Sequence, residues 1–170
     1  MEAMFYTQLV NKEWPLYLAA TEKGLCYVGG VEDTLEQLQQ FQQKWLPNSQ
    51  LVEDADKMVT YMNWLTAYFA KKEPSINFSF DLYGTSFQKD VWKALQNVHY
   101  GKTATYSDIA RYIQHEKAVR AVGRAIGMNP LTIVLPCHRI LGKNGALTGF
   151  RGGIPMKIRL LQHENAMFTE

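Results

Sequence analysis

Nine residues constrain this chain more than any other stretch. They are Leu131–Arg139, reading Leu-Thr-Ile-Val-Leu-Pro-Cys-His-Arg. The first five are apolar or β-branched and predict a short buried strand. Pro136 cannot donate to a ladder and so ends it. A thiol, an imidazole and a guanidinium follow directly as Cys137, His138 and Arg139. A buried strand that carries a Cys and a His at its end sets reactive groups at the rim of a core. Free cysteine is also among the most buried residue types, so a packed thiol beside a surface His-Arg pair fits the same residues. The rest of the chain has to decide between the two.

With 170 residues, 46% hydrophobic and 20% charged, the chain can hold one domain or two small ones with a proper core. Its start, Met-Glu-Ala-Met-Phe-Tyr, has no basic segment and no long apolar run, so no secretory leader is expected. No apolar run approaches the ~18 residues of a membrane span. Cys26 and Cys137 lie far apart, which suits a reducing cytoplasm better than a disulfide framework. The four histidines are scattered and no Cys-x-x-Cys occurs, so no metal site is expected. Charge is uneven. Up to Tyr83 there are 6 Lys and Arg against 11 Asp and Glu, and from Gly84 onward 12 against 5. An acidic half followed by a basic half suggests two units, 1–83 and 84–170, the second facing a polyanion.

In the first half, Phe5–Val10, Leu16–Ala20 and Gly24–Gly29 read as antiparallel strands. Thr34–Trp45 and Asp56–Phe69 carry helical stripes, and Ile76–Phe80 alternates like one more strand. This is a small α/β unit whose aromatic residues and Cys26 read as core. In the second half, Thr85 or Ser86 can cap a helix with Phe87, Val91, Trp92 and Leu95 on one face. Ser107-Asp108 opens a short helix to Ile113, and a second runs from about Lys117 to Ile126. Two short helices with a tight turn are the layout of a helix-turn-helix, although an ordinary helical hairpin satisfies the same pattern. The second helix holds small residues, among them Ala121 and Gly123, with Arg120 and Arg124. It lacks the long polar side chains that read base edges, so DNA binding there would rest on phosphates and show little sequence preference. The turn Met128-Asn129-Pro130 leads on to Cys137. Gly149-Phe150-Arg151-Gly152-Gly153 forms a loop able to fold over a site, and Pro155 opens a last helix carrying Lys157 and Glu164.

Several segments stand in a telling order. Gly84-Thr85-x-Phe87-Gln88-x-x-Val91-Trp92-x-Ala94-Leu95 is followed by Tyr100-Gly101 and Tyr106. Next come Arg120-Ala121-Val122-Gly123, Asn129-Pro130, Pro136-Cys137-His138-Arg139 and Leu160-Leu161-x-His163-Glu164. Over this half the chain resembles the O6-alkylguanine-DNA alkyltransferases, also called methylated-DNA–protein-cysteine methyltransferases. The resemblance implies an α/β (α+β) fold: a small N-terminal domain of ribonuclease-H-like type supporting a mostly helical, winged-helix or helix-turn-helix-like C-terminal domain. It implies single, irreversible transfer of an alkyl group from O6-alkylguanine, with O4-alkylthymine as a second lesion, to Cys137, without cofactor or metal.

By the same resemblance His138 is a water-relayed base, Glu164 orients it, and Asn129 braces the cysteine turn. Tyr106 donates to the departing base, and Lys157 contacts the cysteine loop. The partner implied is double-stranded DNA entered from the minor groove by a monomer in the cytoplasm, with the lesion flipped out. Arg120 would fill the vacated space, Tyr106, Ala121, Gly123 and Arg124 would lie on the DNA face, and Phe150, Arg151 and Gly152 would line the pocket. Phe150 stands where the family often has Tyr, and Arg151 where it has a small residue. Three rivals share some of these features. They are a lesion-binding protein of the same fold that does no chemistry, a transcription regulator, and a cysteine hydrolase.

Overall fold

The structure, a computed structural model, describes residues 1–169. Two compact units divide the chain, Met1–Tyr83 and Gly84–Glu170. The first holds β1 (Ala3–Leu9), β2 (Leu16–Thr21), β3 (Gly24–Val28), α1 (Leu35–Trp45), β4 (Gln50–Glu53) and α2 (Val59–Phe69). Its sheet has the order β3-β2-β1-β4, antiparallel except for β4, which runs parallel to β1 with Met4 opposite Leu51. Every residue of β3 is buried, which is why Leu25, Cys26, Tyr27 and Val28 form a continuous run rather than an alternating one. Met4, Ala19, Cys26, Tyr27 and Leu38 make a core cluster, with Phe41 and Leu51 packed on it. Thr34 caps α1 in a reciprocal box with Gln37. Cys26 is packing: its sulfur donates to the Ala19 carbonyl and burial pushes its thiol far up.

Two predictions for this unit change. β4 is an added edge strand, and Ile76–Phe80 is not a strand. Only Phe80 bridges to Leu25, through hydrogen bonds from Leu25 N to Ser79 O and from Asp81 N to Leu25 O.

The second unit holds α3 (Ser86–Ala94), β5 (Ala104–Thr105), α4 (Tyr106–Tyr112), α5 (Val119–Gly127), β6 (Ile140–Leu141) and α6 (Ile154–His163). Thr85 caps α3 in a box with Gln88. On its inner face Val91 and Trp92 are buried, and the Trp92 indole donates to the Ala125 carbonyl of α5 at 2.7 Å. The cap of α4 is Thr105, two residues before the predicted Ser107, with Asp108 closing the box. The α4–α5 turn passes through Gln114 at φ 61° and a 3₁₀ turn at Glu116–Ala118. β5 and β6 pair in parallel, with Thr105 opposite Leu141. That short ladder sets the start of α4, at Tyr106, beside the segment that follows Cys137.

The Leu131–Leu135 run is buried but is not a strand. It coils through two tight turns, with Val134 N bonding Thr132 O and Leu135 N bonding Leu131 O. Ile133 sits at φ 70°, a left-handed conformation that a β-branched residue adopts only when its surroundings impose it. The side chain of Asn129 imposes it. Asn129 Nδ2 donates to the carbonyls of Leu135 (2.7 Å) and Leu131 (3.3 Å), and its Oδ1 accepts from Leu131 N (3.0 Å). One amide side chain thus satisfies backbone groups that a ladder would otherwise have to satisfy.

Candidate active site

Cys137, His138 and Arg139 form one 3₁₀ turn, closed by Arg139 N bonding Pro136 O. All three are buried, which removes the reading of a surface His-Arg pair. His138 has no exposed side-chain surface, and its Nε2 donates to Glu164 Oε1 at 2.7 Å. Glu164 ends α6, where the last turn carries it back to the cysteine turn. The Arg139 guanidinium grips the same carboxylate from Nε (2.9 Å to Oε2) and Nη2 (2.9 Å to Oε1), and its Nη1 donates to the Val98 carbonyl at 2.6 Å. Gly101 N donates to Glu164 Oε2 at 3.2 Å. Burial alone would raise the Glu164 carboxyl. The hydrogen bonds from His138 and Arg139 outweigh it and hold the group well below the usual carboxylate range.

A carboxylate accepts and cannot donate, so the imidazole must carry its proton on Nε2. Its other nitrogen, Nδ1, is buried and has no hydrogen-bond partner among the described residues. Burial holds the His138 pKa below its ordinary value despite the pull of Glu164, so the ring is neutral near pH 7 with Nδ1 free to accept.

Cys137 is 2% exposed. Burial pushes its thiol up, while a hydrogen bond from Asn129 and the charges of Arg151 and Lys157 pull the other way. Lys157, on α6, is fully buried, with Nζ donating to the carbonyls of Ile140 (2.6 Å) and Thr148 (3.4 Å). Burial lowers its amine to about 8. Tyr106 hydrogen-bonds through its hydroxyl to Thr148, and burial raises its phenol against that bond.

A cleft of about 910 Å³ lies in this unit between α5 and the 149–151 loop. It is lined by Tyr106, Val119, Arg120, Gly123, Arg124, Gly127, Gly149, Phe150 and Arg151. Gly123 faces the Tyr106 ring, where a Cβ would stand 3.6 Å from Tyr106 Cδ1, at ordinary contact distance. Arg120 and Arg124 are exposed. The site residues expected from sequence therefore fall into two groups. Cys137, His138, Asn129, Lys157 and Glu164 make the buried cluster, while Tyr106, Arg120, Gly123, Arg124, Phe150 and Arg151 line the cleft. Ala121 and Gly152 are half-buried and do not line it. Gly152 acts from behind, because a Cβ there would lie 2.5 Å from Met156 Sδ and 2.7 Å from Phe150 Cε1.

Sequence reasoning gave no role at this site to Arg139, Thr148 or Gly101, the last read only as a left-handed helix stop, which its φ of 74° matches. Arg139 was visible only as the neighbour of His138. The other two carry no chemical signature, and only the fold brings them in.

Fold and site together define a two-unit α/β protein with a buried, imidazole-flanked cysteine in a helix-turn-helix unit. The family model described as the 6-O-methylguanine DNA methyltransferase ribonuclease-like domain matches residues 4–82. The model of the DNA binding domain of the same methyltransferases matches 86–166. An inducible methylated-DNA–protein-cysteine methyltransferase of Bacillus subtilis (strain 168) is 45% identical over 98% of this chain and 93% of its own. The crystal structure of the Mycobacterium tuberculosis O6-methylguanine methyltransferase superposes with a TM-score of 0.78 at 36% identity, covering 96% of this chain and 93% of that one. A structure of the Mycobacterium tuberculosis protein in complex with DNA gives 0.76 at 35% identity, over 95% and 92%. The chain belongs to the methylated-DNA–protein-cysteine methyltransferase family.

Among the described residues no helix is long and apolar enough to cross a membrane.

Proposed function

We propose that this protein repairs alkylated DNA by direct reversal, taking the alkyl group of O6-alkylguanine, with O4-alkylthymine as a second lesion, onto Cys137 once and irreversibly. Cys137 Sγ attacks the alkyl carbon in line. A carbon–sulfur bond forms, the carbon–oxygen bond breaks with its electron pair on the base oxygen, and that oxygen takes a proton to give the unmodified base. The thioether left behind is not displaced by water, so each chain acts once.

His138, neutral and with Nδ1 unprotonated, takes the thiol proton through a bridging water, and Glu164 fixes the ring and balances the charge that develops on it. Asn129, Arg151 and Lys157 support the thiolate against its burial. The Tyr106 hydroxyl donates to the leaving oxygen. The base cannot be reached while stacked, so it flips into the cleft between α5 and the 149–153 loop. On the DNA side α5 enters the minor groove. Ala121 and Gly123 allow close approach, Arg124 meets phosphates, and Arg120 occupies the space the base leaves. Binding of this kind depends on salt more than on sequence. The protein works as a monomer in the cytoplasm, in keeping with its two free cysteines. The observation that carries the reading is the buried Glu164–His138 pair, whose remaining nitrogen is left without a partner one residue from the thiol.

The test is intact mass after incubation with excess duplex carrying O6-methylguanine. The expected result is a gain of about one methylene equivalent per chain, without turnover. Lesion binding with no gain would make it a non-catalytic binder, and release of many equivalents would make it a turnover enzyme.

A further inference from the structure

The loop Gly149–Gly153 forms one wall of the cleft. Gly149 has open space where a Cβ would stand, and Gly153 lies at φ 90°, a conformation glycine adopts without strain. Inside the loop, Gly153 N bonds Phe150 O at 2.9 Å. One side chain of the loop ties it to the segment that holds the cysteine turn. Arg151, half-buried at the crest, donates from Nε to the Asn129 carbonyl at 2.9 Å.

Asn129 is the residue whose amide straps Leu131 and Leu135 and hydrogen-bonds Cys137. One residue therefore joins the loop over the cleft to the turn that presents the thiol, its carbonyl serving the first and its side chain the second. The guanidinium is also close enough for its charge to act on Cys137. A planar, permanently charged fork makes a stronger and better-directed hydrogen bond to a carbonyl than a neutral donor would.

We propose that Arg151 is a positioning residue that sets specificity: its bond to Asn129 latches the loop beside Cys137 and so limits the size of the alkyl group that reaches the thiol. The inference rests on the alkyl-transfer reading above. It assigns the limit on alkyl size to a side chain that belongs neither to α5 nor to the His138–Glu164 pair. Removing the latch frees the loop to move outward, which helps a bulky group more than a methyl. It also withdraws a positive charge from the thiol, which slows both.

The experiment compares single-turnover rates on duplexes carrying O6-methylguanine and O6-benzylguanine, for the wild type, Arg151→Ala, Arg151→Lys and Arg151→Gln. The benzyl-to-methyl rate ratio should rise about tenfold in Arg151→Ala, the scale of one hydrogen bond made by a charged group. It should rise less, in the same direction, in the Lys and Gln variants, which keep a donor. Those two decide the matter if Arg151→Ala folds poorly. An unchanged ratio, with both rates falling together, would overturn the latch and leave a purely structural role. A wild type inactive on both duplexes would instead overturn the alkyl-transfer reading itself.

Discussion

His138 and Glu164 meet at 2.7 Å where neither side chain has any exposure to solvent. The carboxylate arrives from the end of α6, 26 residues along the chain, and three donors besides the imidazole hold it: two from Arg139 and the amide of Gly101. It has no freedom to turn away, so the imidazole has one tautomer and one orientation. In the mechanism proposed above, the chemistry of Cys137 is governed by a group that never touches it.

Replacing that carboxylate should therefore change both rate and acid stability. Glu164→Gln should slow alkyl transfer by about a hundredfold, the low end of what a positioned base contributes. Glu164 has a lower pKa folded than its unfolded value of about 4.3, so it stabilises the fold above that pH and the contribution drains away as pH falls. Unfolding free energies from denaturant titrations between pH 7 and 3 should fall more steeply for the wild type than for Glu164→Gln, by up to about 1.4 kcal/mol per pH unit. Parallel curves would contradict this.

Arg139 matters for a different reason. It neutralises a carboxylate that has no exposed surface. Arg139→Ala should destabilise the protein by about 3–5 kcal/mol, because it strands a buried charge. The double variant Arg139→Ala/Glu164→Gln should be less destabilised than Arg139→Ala alone. Additive losses in urea unfolding would show that the pair is not coupled.

The pH profile of the transfer step should have a break. The rate should rise with pH, because burial raises the Cys137 thiol above its ordinary range. Lys157 stays charged below about 8 and becomes neutral above it, withdrawing its support from the thiolate. Single-turnover rates from pH 6 to 10 should climb and then flatten near 8. Lys157→Met should be slower at pH 7 and lack the break. A wild-type profile that climbs without flattening would remove Lys157 from the account.

Arg120 is exposed on α5 and lines the cleft. If it fills the space of the extruded base, Arg120→Ala should slow repair of duplex at least about tenfold more than reaction with free O6-benzylguanine, since extrusion costs a few kcal/mol. Equal losses on both substrates would rule that role out.

What the sequence reveals and what it hides follow from the range of the forces involved. The α1 and α3 helices are legible because Thr34 and Thr85 cap them locally and their apolar residues repeat at helical spacing. The Leu131–Leu135 run misleads for an equally physical reason. β-branched apolar residues read as a strand, and nothing in their periodicity shows that one Asn129 side chain replaces the ladder and forces Ile133 into the left-handed region. β4 is missed because Gln50–Glu53 is short and half polar, and its partner, β1, is separated from it in sequence by β2, β3 and α1. At the site, Cys137 and His138 are legible as chemistry. Arg139 is not, because its meaning lies in a carboxylate 25 residues away.

In the proposed mechanism Cys137 is a consumable acceptor. The most direct test of this is peptide mapping of protein titrated against O6-methylguanine duplex. Methyl should appear on the peptide bearing Cys137 and not on the one bearing the buried Cys26, and transfer should stop at about one equivalent per chain. Methyl on Cys26, or transfer that continues past one equivalent, would contradict the account.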